Sequence, residues 1–330
     1  MSDPVLAAVG NTPLVQLHGL GVRNRVLLKL ESLNPGGSIK DRTALAMVRA
    51  AEASGELRAG ATIVESSSGN TGVGLALIGS RTGHPVVIVV GQSTSAEKVE
   101  AIRGYGARVE FADWEAAPES PDNPRTVAER IAASIPGSWW PQQFDNQANP
   151  QAHYHGTGPE IWRQTSGALT HFVASVGTGG TISGAGRYFK EASRGAVRVH
   201  AADPAGSVYS GAPAGRIIVD GVGNTWPREC WPSTFDPAVV DGFQVVDDAE
   251  CYATLHFLQQ SQGLCLGPSS GLAVAAARRV ADAAPVGSLV VAIAPDTGQN
   301  YASKAYDRDG LAAQGLQLRS GLPPLPVPAR

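Results

Sequence analysis

The sequence predicts an α/β protein with two domains, each built on a twisted, mostly parallel sheet flanked by helices. Three observations support this fold class. Short apolar runs alternate with segments rich in helix-forming residues along nearly the whole chain. Runs such as residues 86–90 (VVIVV) are uninterrupted, which is typical of strands that are buried on both faces. The length of 330 residues exceeds what one simple core accommodates and fits two domains.

The predicted elements follow one another regularly. A strand at residues 26–31 leads through a Pro-Gly-Gly turn into a helix at about 43–53, which Gly55 ends. Later strands are predicted at 62–64, 86–90, 107–111, 172–176, 197–201 and 289–293, and later helices at 73–78, 95–103, 127–134, 158–164, 181–192, 247–260 and 271–283. Thr94 and Glu97 have the spacing of a capping box for the helix at 95–103. Residues 205–231 have no clear period and are predicted to be a loop that covers a pocket.

Composition and charge exclude several classes of function. The net charge of −3 and the isoelectric point near 6.2 argue against nucleic acid or an anionic membrane as the main partner. No apolar run is long enough to span a bilayer, and residues 1–4 do not resemble a signal peptide. Three widely spaced cysteines lack the spacing of a metal site. His153 and His155 begin a helix without a third ligand and are predicted to be partly exposed structural residues. These features predict a cytoplasmic protein with reduced cysteines and no metal.

Lys40 is the first candidate for a catalytic residue. It follows a glycine-rich turn at residues 34–38 (NPGGS), in which Ser38 is placed to cap the next helix. A cation in the first helical turn opposes the helix dipole, and a Schiff base would remove that charge. A single lysine at such a position is more often a surface residue of an amphipathic helix. The rest of the sequence must therefore decide its role.

Three other segments follow apolar runs and consist of small or polar residues: 66–72 (SSSGNTG), 177–181 (GTGGT) and 295–298 (PDTG). Together with residues 34–42, they resemble the four active-site segments of the cysteine synthase and cystathionine β-synthase family, whose members use pyridoxal 5′-phosphate (PLP). The resemblance runs from about Asn11 to about Tyr301. It implies the tryptophan synthase β-like fold, fold type II of the PLP enzymes. It also implies a large PLP-binding domain (12–34 and 146–305), a smaller mobile domain (35–145) and a C-terminal tail (306–330) that is rich in proline at its end.

The resemblance assigns residues to the cofactor. Lys40 carries PLP as a Schiff base and acts as the catalytic base. Asn70 contacts the pyridoxal 3′-oxygen, and Thr297 pairs with the pyridine nitrogen, with the neighbouring Asp296 as the alternative. The phosphate is bound by a glycine turn, whose backbone amides and following helix suit an anion: Gly177, Thr178, Gly179, Gly180 and Thr181.

The resemblance also assigns residues to the substrate. The helix that begins near residue 70 has free N–H groups at its start, which suit an amino acid's carboxylate. The predicted substrate-binding residues are Ser67, Ser68, Asn70, Thr71, Gln143 and Gly221.

The function implied by the resemblance is PLP-dependent β-replacement on an activated L-serine, O-acetyl-L-serine or O-phospho-L-serine, through an α-aminoacrylate. Residues 143–150 and 157–162 resemble cysteine synthases, which add sulfide to give L-cysteine. Residues 299–304 are more similar to cystathionine β-synthase, which adds homocysteine. Residues 154–156 and 206–208 resemble a branch that joins O-phosphoserine and glutamate on the way to 2,3-diaminopropionate. A serine or threonine dehydratase is less favoured, because the asparagine segment has the synthase form.

Partners follow from the same resemblance. They are small amino-acid substrates, a second copy of the chain in a homodimer, and the C-terminal tail of a serine acetyltransferase. A catalytically weak copy could act chiefly as the regulatory partner of that acetyltransferase.

Overall fold

The computed structural model describes residues 3–67, 69–113, 116–117, 120–316 and 321–325. In these ranges the strands are β1 (Leu14–Gln16), β2 (Arg25–Leu30), β3 (Ile63–Ser66), β4 (Val86–Gly91), β5 (Arg108–Ala112), β6 (His171–Ser175), β7 (Arg198–Pro204), β8 (Gly242–Val246) and β9 (Leu289–Ala294). They form two sheets. The larger has the order β1-β2-β9-β6-β7-β8, and the smaller has the order β3-β4-β5. All pairs are parallel except β1 with β2, so the α/β fold class is confirmed.

Helices cover both faces of each sheet. They are α1 (Pro4–Ala7), α2 (Lys40–Ser54), α3 (Asn70–Thr82), α4 (Ala96–Gly104), α5 (Pro124–Ser134), α6 (Ala148–Ala152), α7 (Gly158–Gln164), α8 (Gly180–Ala192), α9 (Asp248–Gln262), α10 (Pro268–Ala283) and α11 (Arg308–Ala313). A π-helical turn, His153–Thr157, joins α6 to α7. No helix of the described ranges has the length and apolar character needed to cross a bilayer.

Alternation along β2 shows how the larger sheet is buried. Val26, Leu28 and Leu30 belong to the core shared with α9 and α10. Leu27 points to the opposite core, which includes residues of α7 and α8. Successive side chains of a strand face opposite sides of its sheet, so both faces of this strand are packed against helices. Lys29 also lies on the α7 side, and it is fully buried there.

The smaller sheet has its own cores. Residues of α2, α3 and α4 pack on one face, and residues of α5 pack on the other. Trp139 extends this sheet, because its backbone pairs with Thr62 and Val64 before the chain crosses to the larger sheet. The strands of the two sheets therefore come from the two segments that the sequence assigned to two domains. The division into two domains and the mobility of the smaller one stay predictions.

Two details differ from the sequence prediction. Helix α4 begins after Ser95, and no side chain caps it. The Ser95 hydroxyl donates instead to the carbonyl of Asn300, and Glu97 accepts from Ser303, so the proposed capping box is wrong. The predicted tail begins with α11, whose Leu311 is buried against the core of the larger sheet. Most of its proline-rich end, residues 326–330, lies outside the described residues.

Candidate active site

Lys40 is held at the carboxyl end of β9. The backbone of Ile39 donates to Pro295, and the carbonyl of Gly37 accepts from Thr297 at 3.1 Å. These bonds attach the glycine-rich turn to the end of the central strand of the larger sheet. The Ser38 hydroxyl accepts from the Lys40 backbone N–H at 3.2 Å, so it satisfies a free amide at the start of α2, as the sequence predicted.

A buried ionic network fixes the first turn of α2. Arg42, two residues after Lys40, binds both Glu31 and Glu160 in bidentate pairs with distances between 2.6 and 2.9 Å. Lys29 donates to Glu160 at 3.0 Å. Burial raises the pKa of Glu160, but the hydrogen bonds and charge of Arg42 outweigh it and lower that pKa to about 2. Sequence reasoning missed this network, although a lysine inside an apolar strand was a signal for it.

The amine of Lys40 lines a cavity of about 370 Å³ between the two sheets. Burial lowers the pKa of Lys40 to about 8, and the charge of Asp296 opposes that shift. An amine with this pKa is neutral in a useful fraction near pH 7, as a nucleophile or base must be. Asn70, Thr71, Gln143, Gly177, Thr178 and Gly221 line the same cavity.

The glycine turn connects β6 to the N-terminus of α8. Gly179 has φ of +82°, and a Cβ there would lie 2.3 Å from Phe235 Cβ. A Cβ on Gly180 would lie 2.0 Å from Asn149 Oδ1. The Thr178 hydroxyl accepts from Asn149 at 3.0 Å. Of the five residues of the turn, Gly177 and Thr178 line the cavity, and Gly180 begins α8; binding of a phosphate by the amides of residues 179–181 stays a prediction.

His153 supports the glycine turn from behind. It is fully buried, so the prediction of a partly exposed residue is wrong for His153 and holds only for His155. Its Nε2 lies 3.3 Å from the Thr43 hydroxyl and 3.4 Å from the Thr181 hydroxyl. The π-helical turn directs this ring inward, between α2 and α8. Burial and the nearby charge of Lys40 lower its pKa well below the ordinary value, so the ring is neutral.

The residues of the asparagine segment, 66–72, differ in whether they line the cavity. The Thr71 hydroxyl donates to Gln143 Oε1 at 2.5 Å, and both side chains line the cavity. Ser67 faces away: its hydroxyl accepts from the backbone of Gly69 and Gly72 and caps α3. Its contact with a substrate stays a prediction. Ser68 lies outside the described residues.

Asp296 and Thr297 have different surroundings. Asp296 is buried and accepts from Asn70 Nδ2 at 2.6 Å and from the Tyr301 hydroxyl at 2.5 Å. Burial raises its pKa, against the charge of Lys98. Thr297 is partly buried, and its hydroxyl accepts from the Gln299 backbone at 3.3 Å. Neither residue lines the cavity, so the partner of a pyridine nitrogen stays a prediction.

Comparison with known proteins identifies the family. Residues 5–296 match the model of the family described as pyridoxal-phosphate dependent enzyme. The chain belongs to this family. It is 40% identical over 312 residues to cysteine synthase B of Salmonella typhimurium, which covers 94% of this chain and 98% of the relative.

Two solved structures have the same fold. The crystal structure of O-ureido-L-serine synthase superposes with a TM-score of 0.86 at 34% identity, covering 93% of this chain and 96% of that one. The structure of an O-acetylserine dependent cystathionine β-synthase from Helicobacter pylori gives a TM-score of 0.84 at 34% identity, covering 91% and 97%. The fold is therefore that of the fold-type II PLP enzymes.

The residues of this PLP enzyme fit its cofactor. Lys40 offers a buried amine of lowered pKa for the aldehyde. Asn70 Oδ1 is buried without a partner in the described ranges, so the amide has capacity for a further group. The glycine turn suits the phosphate. No group of three or more metal-ligating side chains occurs among the described residues.

Sequence reasoning assigned no role to several residues that line the cavity of this PLP enzyme, because they lie outside the four active-site segments: Ser93, Lys98, Phe144, Tyr209, Trp226 and Tyr301.

Proposed function

We propose that the protein catalyses β-replacement on an activated L-serine, with O-acetyl-L-serine or O-phospho-L-serine as donor and sulfide as the nucleophile that gives L-cysteine. One observation carries the proposal. The Lys40 amine, the start of α3, Gln143 and the glycine turn all meet at one cavity between the two sheets. A base, a carboxylate site and a phosphate site are the groups that this reaction needs.

The chain's residues have distinct parts in the reaction. When bound, PLP supplies an electron sink for the pair left at the substrate α-carbon. The N–H groups at the start of α3, with Thr71 and Gln143, hold the substrate carboxylate. Lys40, released from the cofactor, takes the α-proton as general base and returns it after the nucleophile has added to the β-carbon. The hydrogen bond between Thr71 and Gln143 fixes both donors relative to each other.

The proposed nucleophile is inferred from related proteins. Cysteine synthase B, at 40% identity over nearly its whole length, supports sulfide. A second candidate is homocysteine, supported by the likeness to an O-acetylserine dependent cystathionine β-synthase. The proposal extends to a homodimer in the cytoplasm that accepts the tail of a serine acetyltransferase. The free state of all three cysteines is compatible with a reducing compartment.

Spectroscopy and kinetics test the reaction. The holoenzyme is mixed with O-acetylserine, O-phosphoserine and serine in turn, and the change in cofactor absorbance is recorded. Sulfide, homocysteine and glutamate are then compared for its reversal. Lys40→Ala should lose the absorbance change and at least about 10³-fold in kcat, whereas Lys190→Ala, on the outer side of α8, should retain both. Full turnover by Lys40→Ala would refute the proposal.

A further inference from the structure

Lys98 is a second lysine at the cavity, and no step proposed above uses it. It lies in α4, on the side of the smaller sheet, and only 5% of the residue is exposed. Its side chain lines the same cavity as Lys40. A cation placed beside a reaction centre must either be neutralised by the protein or act on a ligand.

The protein leaves the Lys98 ammonium unsatisfied. An ammonium has three N–H donors, yet no hydrogen bond or salt bridge joins it to any of the described residues. Its Nζ lies 4.0 Å from the centroid of the Tyr301 ring, which covers one side of the charge. A cation–π contact contributes about 0.5–2 kcal/mol and satisfies none of the three N–H donors.

The nearby carboxylates are engaged elsewhere. Asp296 accepts from Asn70 and Tyr301, and Asp220 lies 3.7 Å from Lys304. Burial lowers the pKa of Lys98, and the charges of Asp296 and Asp220 partly restore it. The amine is therefore near two carboxylates without being paired to either, and its donors are free for a group in the cavity.

The fold makes room for this side chain. Gly69 precedes α3 with φ of +137°, and a Cβ there would lie 2.4 Å from Lys98 Cδ. The lysine stem therefore lies across the start of α3, where a side chain on residue 69 would displace it. This contact fixes the direction of Lys98 as it crosses from α4 to the cavity.

We propose that Lys98 binds an anionic oxygen group of a substrate: the phosphate leaving group of O-phospho-L-serine or the carboxylate of an amino-acid nucleophile. The inference rests on the proposed β-replacement. The donor's own carboxylate has its site at the start of α3, with Thr71 and Gln143, so Lys98 serves a second anion. It is a specificity-determining residue, which distinguishes substrates that carry this second anionic oxygen group from those that lack it.

Kinetics with Lys98→Met and Lys98→Arg test this role. In one arm, sulfide is the nucleophile and O-phosphoserine is compared with O-acetylserine. In the other, O-acetylserine is the donor, and homocysteine and glutamate are compared with sulfide. Loss of a charged hydrogen bond should lower kcat/KM by about 10- to 100-fold for the substrate of one arm that carries the phosphate or carboxylate, and by less than about threefold for its reference, O-acetylserine or sulfide. Lys98→Arg should recover most of the loss.

The pattern of losses decides between the sources. A selective loss in the donor arm identifies the leaving-group phosphate, and a selective loss in the nucleophile arm identifies the carboxylate. An equal loss for all substrates would overturn the inference, because Lys98 would then only balance Asp296. Lys190→Met is the matched control and should change none of the ratios.

A binding measurement separates this inference from the proposed reaction. Calorimetric titration of the holoenzyme with inorganic phosphate and with glutarate needs no turnover. Binding of either anion that weakens at least tenfold in Lys98→Met supports the anion site, even if wild-type protein turns over none of the substrates and the proposed function fails. Equal binding, or no binding, by both proteins would overturn it.

Discussion

The two sides of the cavity are held by different forces. At the start of α2, Arg42 is buried and doubly paired with Glu31 and Glu160, and with Lys29 this network ties α2 to the elements of the larger sheet. On the side of the smaller sheet, α4 meets residues 300–304 mainly through hydrogen bonds near the surface, such as those of Glu97 with Ser303. Buried ion pairs are costly to break one at a time, whereas exposed hydrogen bonds exchange readily with water. The start of α2 is therefore held firmly against the larger sheet, and the contact between α4 and residues 300–304 is the weaker one; separation at that contact stays a prediction.

This difference has a chemical use. Lys40 and the glycine turn must keep one geometry relative to the cofactor, and they belong to the firmly held side. Thr71 and Gln143, the proposed substrate-carboxylate residues, and the proposed anion site at Lys98 belong to the other side. Closure of that side over a bound substrate would exclude water from the reacting atoms.

The largest expected effect comes from breaking the buried network. Glu160→Ala leaves Arg42 half-paired and Lys29 without its carboxylate, and we expect a loss of about 3–5 kcal/mol in the free energy of unfolding. The control is Glu100→Ala, which removes a pair with Arg103 that is more than half exposed and should cost less than about 1 kcal/mol. Urea denaturation compares the two variants. Similar losses in the free energy of unfolding would show that the buried network is no stronger than the exposed pair.

The pH dependence of Lys40 acetylation tests whether this amine is buried. In the apoenzyme its pKa of about 8 implies that the neutral fraction rises tenfold per pH unit up to about pH 8 and then levels off. Competitive acetylation read by mass spectrometry should follow this profile, with a rise of about 50-fold between pH 6 and 8. A blocked lysine amide, the standard, should keep rising to about pH 10. An identical profile for Lys40 would contradict its burial.

The lowered pKa of Lys40 also affects the free energy of unfolding. The folded apoenzyme releases the Lys40 proton near pH 8, while the unfolded chain keeps it up to the ordinary lysine value. Deprotonation of Lys40 therefore adds nothing to the free energy of unfolding below pH 8 and increases it as the pH rises above 8. Lys40→Met should lose this contribution to the pH dependence of urea unfolding.

The glycine turn gives a smaller effect. Gly180→Ala would place a Cβ 2.0 Å from Asn149 Oδ1, and we expect about 1–3 kcal/mol of destabilisation together with weaker retention of PLP on dialysis. Gly104→Ala is the matched control, since it lies in α4 with open space around the added carbon. If both variants retained cofactor equally, the turn would not be the phosphate site.

The smallest effect is expected at the surface contact of the second side. Glu97→Ala removes the acceptor for the Ser303 amide and hydroxyl, and stability should change by less than about 1 kcal/mol. Hydrogen exchange should nevertheless become faster for the backbone amides of α4 and residues 300–304. Glu100→Ala, on the same helix, should leave that exchange unchanged. Unchanged exchange in Glu97→Ala would mean that this contact does not hold the two sides together.

Local signals in the chain predicted much of the fold. Periodicity placed every strand of the smaller sheet, and Gly55 ends α2 as expected because it adopts a left-handed conformation. Strands β1 and β8 were missed, since they lie at the edges of the larger sheet, where partial exposure weakens the apolar pattern. Helix α11 was missed because it is short and owes its burial to the core beneath it.

The sequence by itself determined the family, because four short segments resemble its active-site segments, and the candidate residues within them follow from that resemblance. Only the tertiary structure decided that Ser67 caps a helix, that His153 is buried, and that Lys98 reaches the cavity. The burial of His153 and the position of Lys98 depend on groups more than twenty residues away, such as Thr181 and Tyr301. Ser67 instead accepts from the nearby Gly69 and Gly72. Burial and charge pairing arise between distant segments, so no local pattern could specify them.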